Sequence, residues 1–321
     1  MDISVLIATH RRDETLRLCL DSLCRIESSA LEWELLLIDN AGEESTRELA
    51  QAYKDSIDLH YLVETTPGKN SALNRGLGEA RGQLYVFSDN DIIASKDWLL
   101  EMWRGAARWP QTSVFAGRIL PKWPSATMPP LRMNDPLIRA AFCVADWDIP
   151  EGRIEADRVW GPNMAVRAEL FKSGLRFDPA VGPRGANYVM GSETELTRRL
   201  EKQGFGAVYL PNSLVWHQIR EEQLTREWLY ARAYRAGRGR AHETDYFPGA
   251  PRIFGVPRFL IRRAASVALA RLGAFLKADR EEMLLQGMTY WRVRGSLDQC
   301  FFESRARPRL AHGPSDGKGG D

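Results

Sequence analysis

The sequence predicts an α/β fold, with a doubly wound and mostly parallel sheet followed by a helical C-terminal extension. Short apolar runs alternate with amphipathic stretches in the first part of the chain, at the spacing of βαβ units. Three of these runs end in polar residues, which is typical of strands whose carboxyl ends line a ligand site. Beyond His217 the pattern becomes helical and rich in arginine. Right-handed crossovers between successive strands give the doubly wound arrangement.

The predicted elements follow one another in a regular order. Aliphatic residues dominate the strands, and the first helix repeats leucine at helical intervals, at Leu16, Leu20 and Leu23. The predicted strands are Ile3–Ala8, Leu35–Ile38, Leu59–Val63 and Leu84–Ser88. The predicted helices between them are Asp13–Cys24, Glu44–Lys54 and Lys69–Ala80.

The fourth strand runs directly into two aspartates, Asp89 and Asp91. Alternate side chains of an extended backbone share a face, so both carboxylates can point at one ligand. Two close carboxylates repel each other unless a cation lies between them, and hard divalent cations take oxygen ligands. The pattern therefore predicts a metal held against a phosphate-bearing substrate. The alternative is a polar turn after a buried strand, because Asp and Asn are frequent turn residues.

Two common nucleotide-binding motifs are missing from the sequence. A dinucleotide-binding fold needs G-x-G-x-x-G after the first strand, but Ala8 is followed by T-H-R-R-D-E-T, without glycine. The segment G-L-G-E-A-R-G, from Gly76, has the wrong spacing and precedes a strand. No G-x-x-x-x-G-K-[ST] occurs either. These observations disfavour a Rossmann dehydrogenase and a P-loop enzyme.

A second group of candidate residues lies farther along the chain. The segment G-P-N-M-A-V-R-A-E-L-F, from Gly161, has the pattern of a tight loop entering a helix. Ser192 and Glu195 fit a capping box, which assigns Glu195 a structural role. Glu193 lies in the first helical turn, either as a solvated acid or as a general base for an acceptor hydroxyl. His217 follows a predicted strand and is either a metal ligand beside the aspartates or an ordinary surface or core histidine.

Composition also restricts the class of protein. The four cysteines are scattered without zinc-ligand spacing, which indicates reduced thiols and a cytoplasmic location. The N-terminus opens directly into a strand, so no signal peptide is expected. No uncharged run of about 18 residues occurs, so no membrane-spanning helix is expected.

The net charge of +2 conceals an asymmetry along the chain. Residues 1–217 carry 25 Lys and Arg against 30 Asp and Glu, whereas residues 218–321 carry 19 against 12. The predicted domains are a ligand-binding and catalytic domain at 1–220, a basic helical subdomain at 221–304 and a disordered tail at 305–321. The subdomain mixes arginine with apolar residues, which suits either an anionic membrane surface or ion pairs with the N-terminal domain. No nucleic-acid-binding module accompanies the charge, so no nucleic acid partner is predicted.

Taken in order, several segments resemble the inverting family 2 glycosyltransferases of the GT-A fold. The resemblance covers roughly residues 2–220. The matching segments are S-V-L-I-A-T-H-R-R, L-L-L-I-D-N-A, K-N-S-A-L-N-R-G-L-G-E-A-R-G-Q-L-Y-V-F-S-D-N-D, G-P-N-M-A-V-R, G-S-E-T-E-L-T-R-R-L and L-P-N-S-L-V-W-H. Each motif is weak alone, whereas the ordered set is specific.

The resemblance implies a role for each matching residue. Thr9 and Asp39 would hold the nucleotide base and ribose, and Asp89 would lie near the ribose and the metal. Asp91 and His217 would be metal ligands. Asn163 would lie on the acceptor side, and Glu193 would be the catalytic base.

The sequence departs from the family pattern at three positions. Ala8 replaces the usual proline and Leu73 the usual arginine, so phosphate contacts there would fall to Lys69 or Arg75. At the base position the usual Glu-Asp pair reads Ser192-Glu193, which adds one methylene to the base.

The function implied is transfer of a sugar from a nucleoside-diphosphate donor to a hydroxyl of a glycan or lipid-linked acceptor. A divalent metal, Mn²⁺ or Mg²⁺, is the implied cofactor, and bacterial polysaccharide or glycolipid assembly is the implied setting. The expected location is cytoplasmic, with peripheral attachment to the inner face of the cell membrane as one option. A sugar nucleotidyltransferase and an inactive nucleotide-sugar-binding scaffold are the alternatives.

Overall fold

The computed structural model describes residues 1–27, 29–124, 132–185, 188–242 and 249–306. Its strands are β1 (Ile3–Thr9), β2 (Trp33–Asp39), β3 (Leu59–Val63), β4 (Leu84–Asp89), β5 (Ile92–Ala94), β6 (Val114–Lys122), β7 (Gly152–Ile154), β8 (Met164–Arg167), β9 (Ala207–Gln218), β10 (Arg252–Ile253) and β11 (Val256–Pro257). Its α-helices are α1 (Asp13–Leu23), α2 (Glu44–Gln51), α3 (Lys69–Leu77), α4 (Trp98–Arg108), α5 (Pro136–Ala141), α6 (Ala168–Lys172), α7 (Ser192–Lys202), α8 (Arg226–His242), α9 (Arg258–Leu276) and α10 (Arg280–Ala306).

Nine strands form one sheet with the order β3-β2-β1-β4-β8-β6-β9-β5, and β7 also pairs with β9. The first four strands in this order are parallel, as are β6 and β9. The short strand β8 runs antiparallel to both β4 and β6. The predicted α/β class, with a mostly parallel sheet and a helical C-terminal extension, is confirmed.

Helices cover both faces of the sheet because the strand residues alternate between two apolar cores. Val5 and Leu35 face the core shared with α1, α2 and α4. Leu6 and Leu36 face the core shared with α3, α6 and α7. This period of two is the geometry of extended backbone, and burial on both faces explains why these strands read as continuous apolar runs.

Two segments differ from the prediction. The loop-to-helix segment from Gly161 contains a short 3₁₀ turn at Gly161–Asn163 and then strand β8, so only its end, in α6, is helical. Ala165 pairs with Val86 on one side and Phe115 on the other, and these long-range partners decide the strand. His217, predicted to follow a strand, instead lies within the 12-residue strand β9.

The C-terminal segment is helical, as predicted. Helices α5, α8 and α10 share an apolar core. Of the helices in the described parts of the chain, none combines the length and the apolar character needed to cross a membrane. Residues 305 and 306 end α10, and residues 307–321 of the predicted tail lie outside the described residues. The division at residue 220 stays a prediction.

Candidate active site

The carboxyl ends of the central strands meet at one edge of the sheet and open into a cleft of about 550 Å³. Thr9 on β1 pairs with Asp39 on β2, and Ala8 pairs with Asp89 on β4, so these three ends lie side by side. The cleft is lined from these strand ends, from the segment before α3, from β9 and from α8. Ligands of open α/β sheets bind at such an edge.

Lys69 joins two carboxylates at the first turn of α3. Its Nζ donates to Asp89 Oδ1 at 2.5 Å and to Glu193 Oε1 at 2.6 Å. All three side chains are largely buried. Burial raises the pKa of Glu193, but the charge and hydrogen bond of Lys69 outweigh burial and hold the pKa below its usual range. Glu193 is therefore ionised and able to accept a proton.

Glu193 projects from the start of α7 towards the backbone of Gly161, which has no side chain. A Cβ atom built on Gly161 would lie 2.3 Å from Glu193 Oε1. A side chain at position 161 would therefore displace the Glu193 carboxylate. The predicted capping box is wrong: Gly191 is the N-cap, without a side-chain hydrogen bond, and Glu195 instead pairs with Arg199 at 2.6 Å. Glu195 keeps a structural role, as an ion pair one turn along the helix.

Asp91 lies in a second group of charges, at the start of β5. Its Oδ2 accepts from Arg12 at 3.2 Å and from Arg220 at 3.3 Å. Its Oδ1 faces His217 Nε2 at 3.6 Å. Burial raises the pKa of Asp91, but His217 and the two guanidinium groups outweigh burial and hold the pKa well below its usual range. Asp91 is therefore a buried anion.

Asp91 and His217 together fit a divalent cation. Asp91 Oδ1 is buried and has no hydrogen-bond partner among the described residues. His217 Nδ1 lies 2.9 Å from the carbonyl oxygen of Phe142, which can only accept, so Nδ1 carries a proton and Nε2 is the atom that faces Asp91. A carboxylate oxygen and an imidazole nitrogen side by side are suitable ligands for Mn²⁺.

The predicted nucleotide-binding residues Thr9 and Asp39 lie at the correct edge but already have partners. Thr9 Oγ1 accepts from Asn90 Nδ2 at 2.8 Å. The Asp39 carboxylate is fully buried and accepts from two backbone N–H groups of the following turn and from the hydroxyl of Tyr61. Thr9 lines the cleft, whereas the neighbour Asn40 lines it in place of Asp39.

The structure does not bring Arg75 and Asn163 to the cleft. Arg75, at the end of α3, instead forms an exposed ion pair at 2.7 Å with Glu79, just beyond the helix. Asn163 is fully buried, donating to the carbonyl oxygens of Arg118 and Ser213 and accepting from Trp98 Nε1. Its amide is fully used in holding β6, β9 and α4 together, so the geometry gives no support to the acceptor-side role.

Sequence reasoning missed the arginines that line the cleft. Arg12 lies within a quoted motif but had no role, and Arg220, Arg232 and Arg235 belong to the segment interpreted as a separate basic subdomain. Arg232 lies over the ring of Trp228 and Arg235 over that of Tyr188. Arg232 and Arg235 are three residues apart, which places them on one side of a helix. The sequence does not show that this side of α8 faces the cleft.

The buried Nε atoms of these two arginines have no hydrogen-bond partner within the described chain. Arg232 donates from Nη2 to Cys143 Sγ at 3.2 Å, and no described carboxylate pairs with either residue. Unpaired guanidinium groups at the wall of a cleft attract an anion, because planar Arg binds phosphate in a bidentate manner.

A different acidic cluster lies at the opposite edge of the sheet. Glu34, Asp58 and His60 have ligand atoms close enough to share a metal. Arg81 already occupies their centre, donating to Glu34 from Nε at 2.7 Å and to Asp58 from Nη2 at 3.1 Å. A guanidinium group neutralises these acids, so this cluster is distinct from the cleft and needs no metal.

Comparison with known proteins gives three kinds of match. A sequence model described as "Glycosyl transferase family 2" matches residues 4–177. "Glycosyltransferase AglE" of Haloferax volcanii is 21% identical over 278 residues, which cover 85% of this chain and 81% of that protein. "Probable glycosyltransferase YdaM" of Bacillus subtilis is 22% identical over 224 residues, covering 67% of this chain. The chain spans 50% of the length of YdaM.

Solved structures share the fold at low sequence identity. The mannosyltransferase PcManGT from Pyrobaculum calidifontis, in complex with GDP-Man and Mn²⁺, has a TM-score of 0.62 at 16% identity, covering 94% of this chain and 87% of that one. S. aureus TarS 1–349 with UDP-GlcNAc has a TM-score of 0.52 at 16% identity, covering 93% and 92%. GalNAc-T7 with UDP, GalNAc and Mn²⁺ has a TM-score of 0.53 at 15% identity, covering 78% and 52%. These matches confirm the predicted GT-A fold.

Proposed function

This chain belongs to glycosyl transferase family 2 and is a glycosyltransferase, and we propose that it moves a sugar, with inversion, from a nucleoside-diphosphate donor to a hydroxyl group of an acceptor. The observation that carries the proposal is the position of Glu193, a buried and ionised carboxylate held by Lys69 beside Asp89. A carboxylate base joined by one cation to a second carboxylate, proposed to lie on the donor side, supports proton removal next to the sugar to be transferred.

The proton path follows from this geometry. Glu193 takes the proton of the acceptor hydroxyl, and that oxygen forms a bond to the anomeric carbon. The bond between the anomeric carbon and the diphosphate oxygen breaks at the same time, and the electron pair leaves with the nucleoside diphosphate. Attack from the face opposite to the leaving group inverts the anomeric centre.

Asp91 and His217 are the residues that would hold a divalent metal. Solved relatives of the same fold contain Mn²⁺ together with GDP-Man or with UDP and GalNAc, which supports a divalent cation here. When bound, Mn²⁺ or Mg²⁺ supplies positive charge to the diphosphate and stabilises its departure. The orphaned Oδ1 of Asp91 and the adjacent Nε2 of His217 support this assignment.

We further propose that Arg232 and Arg235 bind the diphosphate. Their Nε atoms are buried without a partner in the described residues, and their guanidinium groups lie over the rings of Trp228 and Tyr188. Fixed donors in a partly water-excluded cleft stabilise charge as it develops on a leaving group. They would take phosphate contacts that the family resemblance gives to Lys69 or Arg75.

The remaining donor contacts are proposed as the family resemblance implies. Thr9, Lys69 and Asp89 line the cleft at the expected place of the nucleoside and its ribose, and Asp39 is proposed to act from behind Asn40, which lines the cleft. The solved relatives bind UDP, UDP-GlcNAc or GDP-Man, and this range leaves uridine and guanosine donors as the candidates. We propose a glycan or lipid-linked acceptor in bacterial polysaccharide or glycolipid assembly, with the reaction in the cytoplasm.

Release of free nucleoside diphosphate tests the proposal. The full chain is incubated with UDP- and GDP-sugars, with Mn²⁺ or Mg²⁺ and in the presence of chelator, and released UDP or GDP is measured. Glu193→Gln is expected to lower turnover ~10²–10⁴-fold while leaving donor binding intact, because only proton removal is lost. Glu195→Gln is the matched control from the same helix and is expected to retain turnover.

Three outcomes would count against the proposal. Donor binding without release of nucleoside diphosphate from any sugar indicates a binding scaffold. Formation of nucleotide sugar from a sugar phosphate and a nucleoside triphosphate indicates a nucleotidyltransferase. Equal turnover of Glu193→Gln and Glu195→Gln removes Glu193 from the role of base.

A further inference from the structure

Helix α9 carries an apolar stripe on its outer side. Only Leu260, Val267 and Ala274 of this helix are buried, and their spacing of seven residues marks one narrow line of contact with the rest of the protein. Leu269 and Leu276 are 71% and 75% exposed. The stripe consists of Ile261, Ala265, Ala268, Leu269, Leu272, Phe275 and Leu276, which recur at intervals of three or four residues and are all exposed.

The stripe lies on a helix that carries positive charge alone. Arg258–Leu276 contains four arginines and neither Asp nor Glu. Arg258 and Arg262 are exposed close to the stripe, and Arg271 lies over the ring of Tyr290 on α10. A contiguous exposed apolar face beside arginines marks an interaction surface, because isolated apolar residues on a soluble surface do not line up in this way.

An exposed phenylalanine lies shortly before α9, in the hairpin that leads into the helix. Phe254 is 87% exposed at the tip of the β10–β11 hairpin, which leads directly into α9. Its backbone has a positive φ of 48°, in the left-handed region, and Gly255 follows at 79°. Non-glycine residues rarely adopt this backbone conformation. The tight turn thus carries an exposed aromatic ring at a position where glycine would be expected.

We propose that α9 and Phe254 lie flat on an anionic lipid surface. The apolar stripe would enter the boundary between headgroups and acyl chains, while the arginines pair with lipid phosphates and extend their apolar stems along the membrane. The inference does not depend on the identity of the sugar acceptor. It favours membrane attachment of the basic segment, because the buried residues of α9 form one narrow line against the described part of the protein.

Two other occupants of this face, a second copy of the chain and the C-terminal segment 307–321, are disfavoured. A second copy of the chain would bring its Arg258 and Arg262 against those of the first, and like charges at close range repel. The segment 307–321 contains one large apolar residue, Leu310, which is too little to cover a stripe of this length. An anionic lipid surface complements both the apolar stripe and the charge.

Co-sedimentation with vesicles tests this inference on the full chain. Vesicles of phosphatidylcholine alone are compared with vesicles that also contain phosphatidylglycerol. The wild-type chain is expected to bind the anionic vesicles, more weakly at high salt. The triple variant Leu269→Ser/Leu272→Ser/Leu276→Ser is expected to bind on the order of 1,000-fold more weakly, because each buried leucine strengthens binding about tenfold. Leu18→Ser on α1, which is also exposed, is the matched control.

The arginines are tested separately. Arg258→Gln/Arg262→Gln is expected to weaken binding to anionic vesicles about 25-fold, since each arginine near such a surface contributes about fivefold. Arg17→Gln/Arg25→Gln removes two exposed arginines from the N-terminal part and is expected to change binding little. All of these side chains are exposed, so the variants are expected to fold, which circular dichroism verifies.

Several results would overturn the inference. Equal binding of the wild-type chain to neutral and anionic vesicles would exclude the charge-based attachment. Unchanged binding by the α9 variants would exclude this face. A wild-type chain that is a dimer in solution and ignores vesicles, with a triple variant that is a monomer, would make the face a contact between copies.

Discussion

Lys69 connects the two halves of the proposed site, because its one ammonium group holds both the proposed donor-side carboxylate and the proposed base. Its Nζ lies within hydrogen-bond distance of both Asp89 and Glu193. Burial lowers the pKa of Lys69, but the two carboxylates more than offset burial, so the lysine stays charged. Breaking such a buried network by removing one partner leaves an uncompensated charge, which is more costly than losing a surface pair.

Replacing Lys69 with methionine is expected to move the acid limb of the pH–rate profile to higher pH. In the wild type the pKa of Glu193 lies below its usual value, so the base stays ionised until the pH falls below that value. Without the lysine charge, burial raises the pKa of Glu193 and the carboxylate takes up a proton at higher pH. Turnover measured from pH 4 to pH 8 checks this shift. Lys172→Met, at an exposed site, is the control, and coincident acid limbs would show that Lys69 does not hold the charge of Glu193.

Asp91→Asn is expected to weaken Mn²⁺ binding by roughly 100-fold, because it removes the anionic oxygen proposed as a ligand and leaves Arg12 and Arg220 unopposed. Calorimetric titration with Mn²⁺, with and without nucleoside diphosphate, measures the change. Asp97→Asn is the control, since Asp97 is exposed and close by in sequence. Equal Mn²⁺ affinity of the two variants would remove Asp91 from the metal site.

Helices α8 and α10 approach each other closely enough to require glycine at the contact. A Cβ atom at Gly237 would lie 1.9 Å from the carbonyl oxygen of Arg292, and one at Gly295 would lie 2.0 Å from that of Tyr234. Hydrogen bonds cross the same contact, from Ser296 to the backbone of Gly237 and from Tyr234 to Asp298. Because α8 also lines the cleft, this helix pair fixes the proposed diphosphate-binding arginines.

Gly237→Ala is expected to lower the free energy of unfolding by about 1–3 kcal/mol, since the new methyl group must displace backbone. Gly273→Ala, on α9, is expected to raise it by about 0.5–1 kcal/mol, because no atom lies within 4 Å of the added Cβ and alanine favours helix. Urea denaturation of both variants measures the difference. A Gly237→Ala variant as stable as the wild type would contradict the close contact.

The predictable elements are those whose pattern is local. The parallel strands β1 to β4 read as apolar runs because both faces are buried, and their predicted positions agree with the structure to within a few residues. Strand β8 was missed because its four residues are held by partners on β4 and β6, far away in sequence. The same limit applies within the site: the sequence shows the polar strand ends, whereas only folding shows that Asn163 is enclosed and that Arg232 reaches the cleft.

At the scale of the whole molecule, the cleft has two walls of different origin. The strand ends supply Thr9, Asp89 and Asp91, and α8 supplies Trp228, Arg232 and Arg235 from beyond the segment that matches the family model. The predicted division at residue 220 would separate these walls. A separable C-terminal subdomain would leave binding intact when removed, whereas a shared cleft requires both parts in one chain.

We therefore expect nucleoside diphosphate to bind weakly to a fragment of residues 1–220. In the full chain, Arg232→Gln/Arg235→Gln is expected to lower affinity by on the order of 100-fold or more, because each charge-assisted contact to phosphate contributes about 1.5–3 kcal/mol. Arg226→Gln, which begins α8 in an exposed pair with Glu227, is the control. Calorimetry with UDP and GDP measures all three variants, and thermal unfolding shows whether each is folded. Affinity retained by both the fragment and the double variant would mean that the diphosphate is held by the strand ends alone.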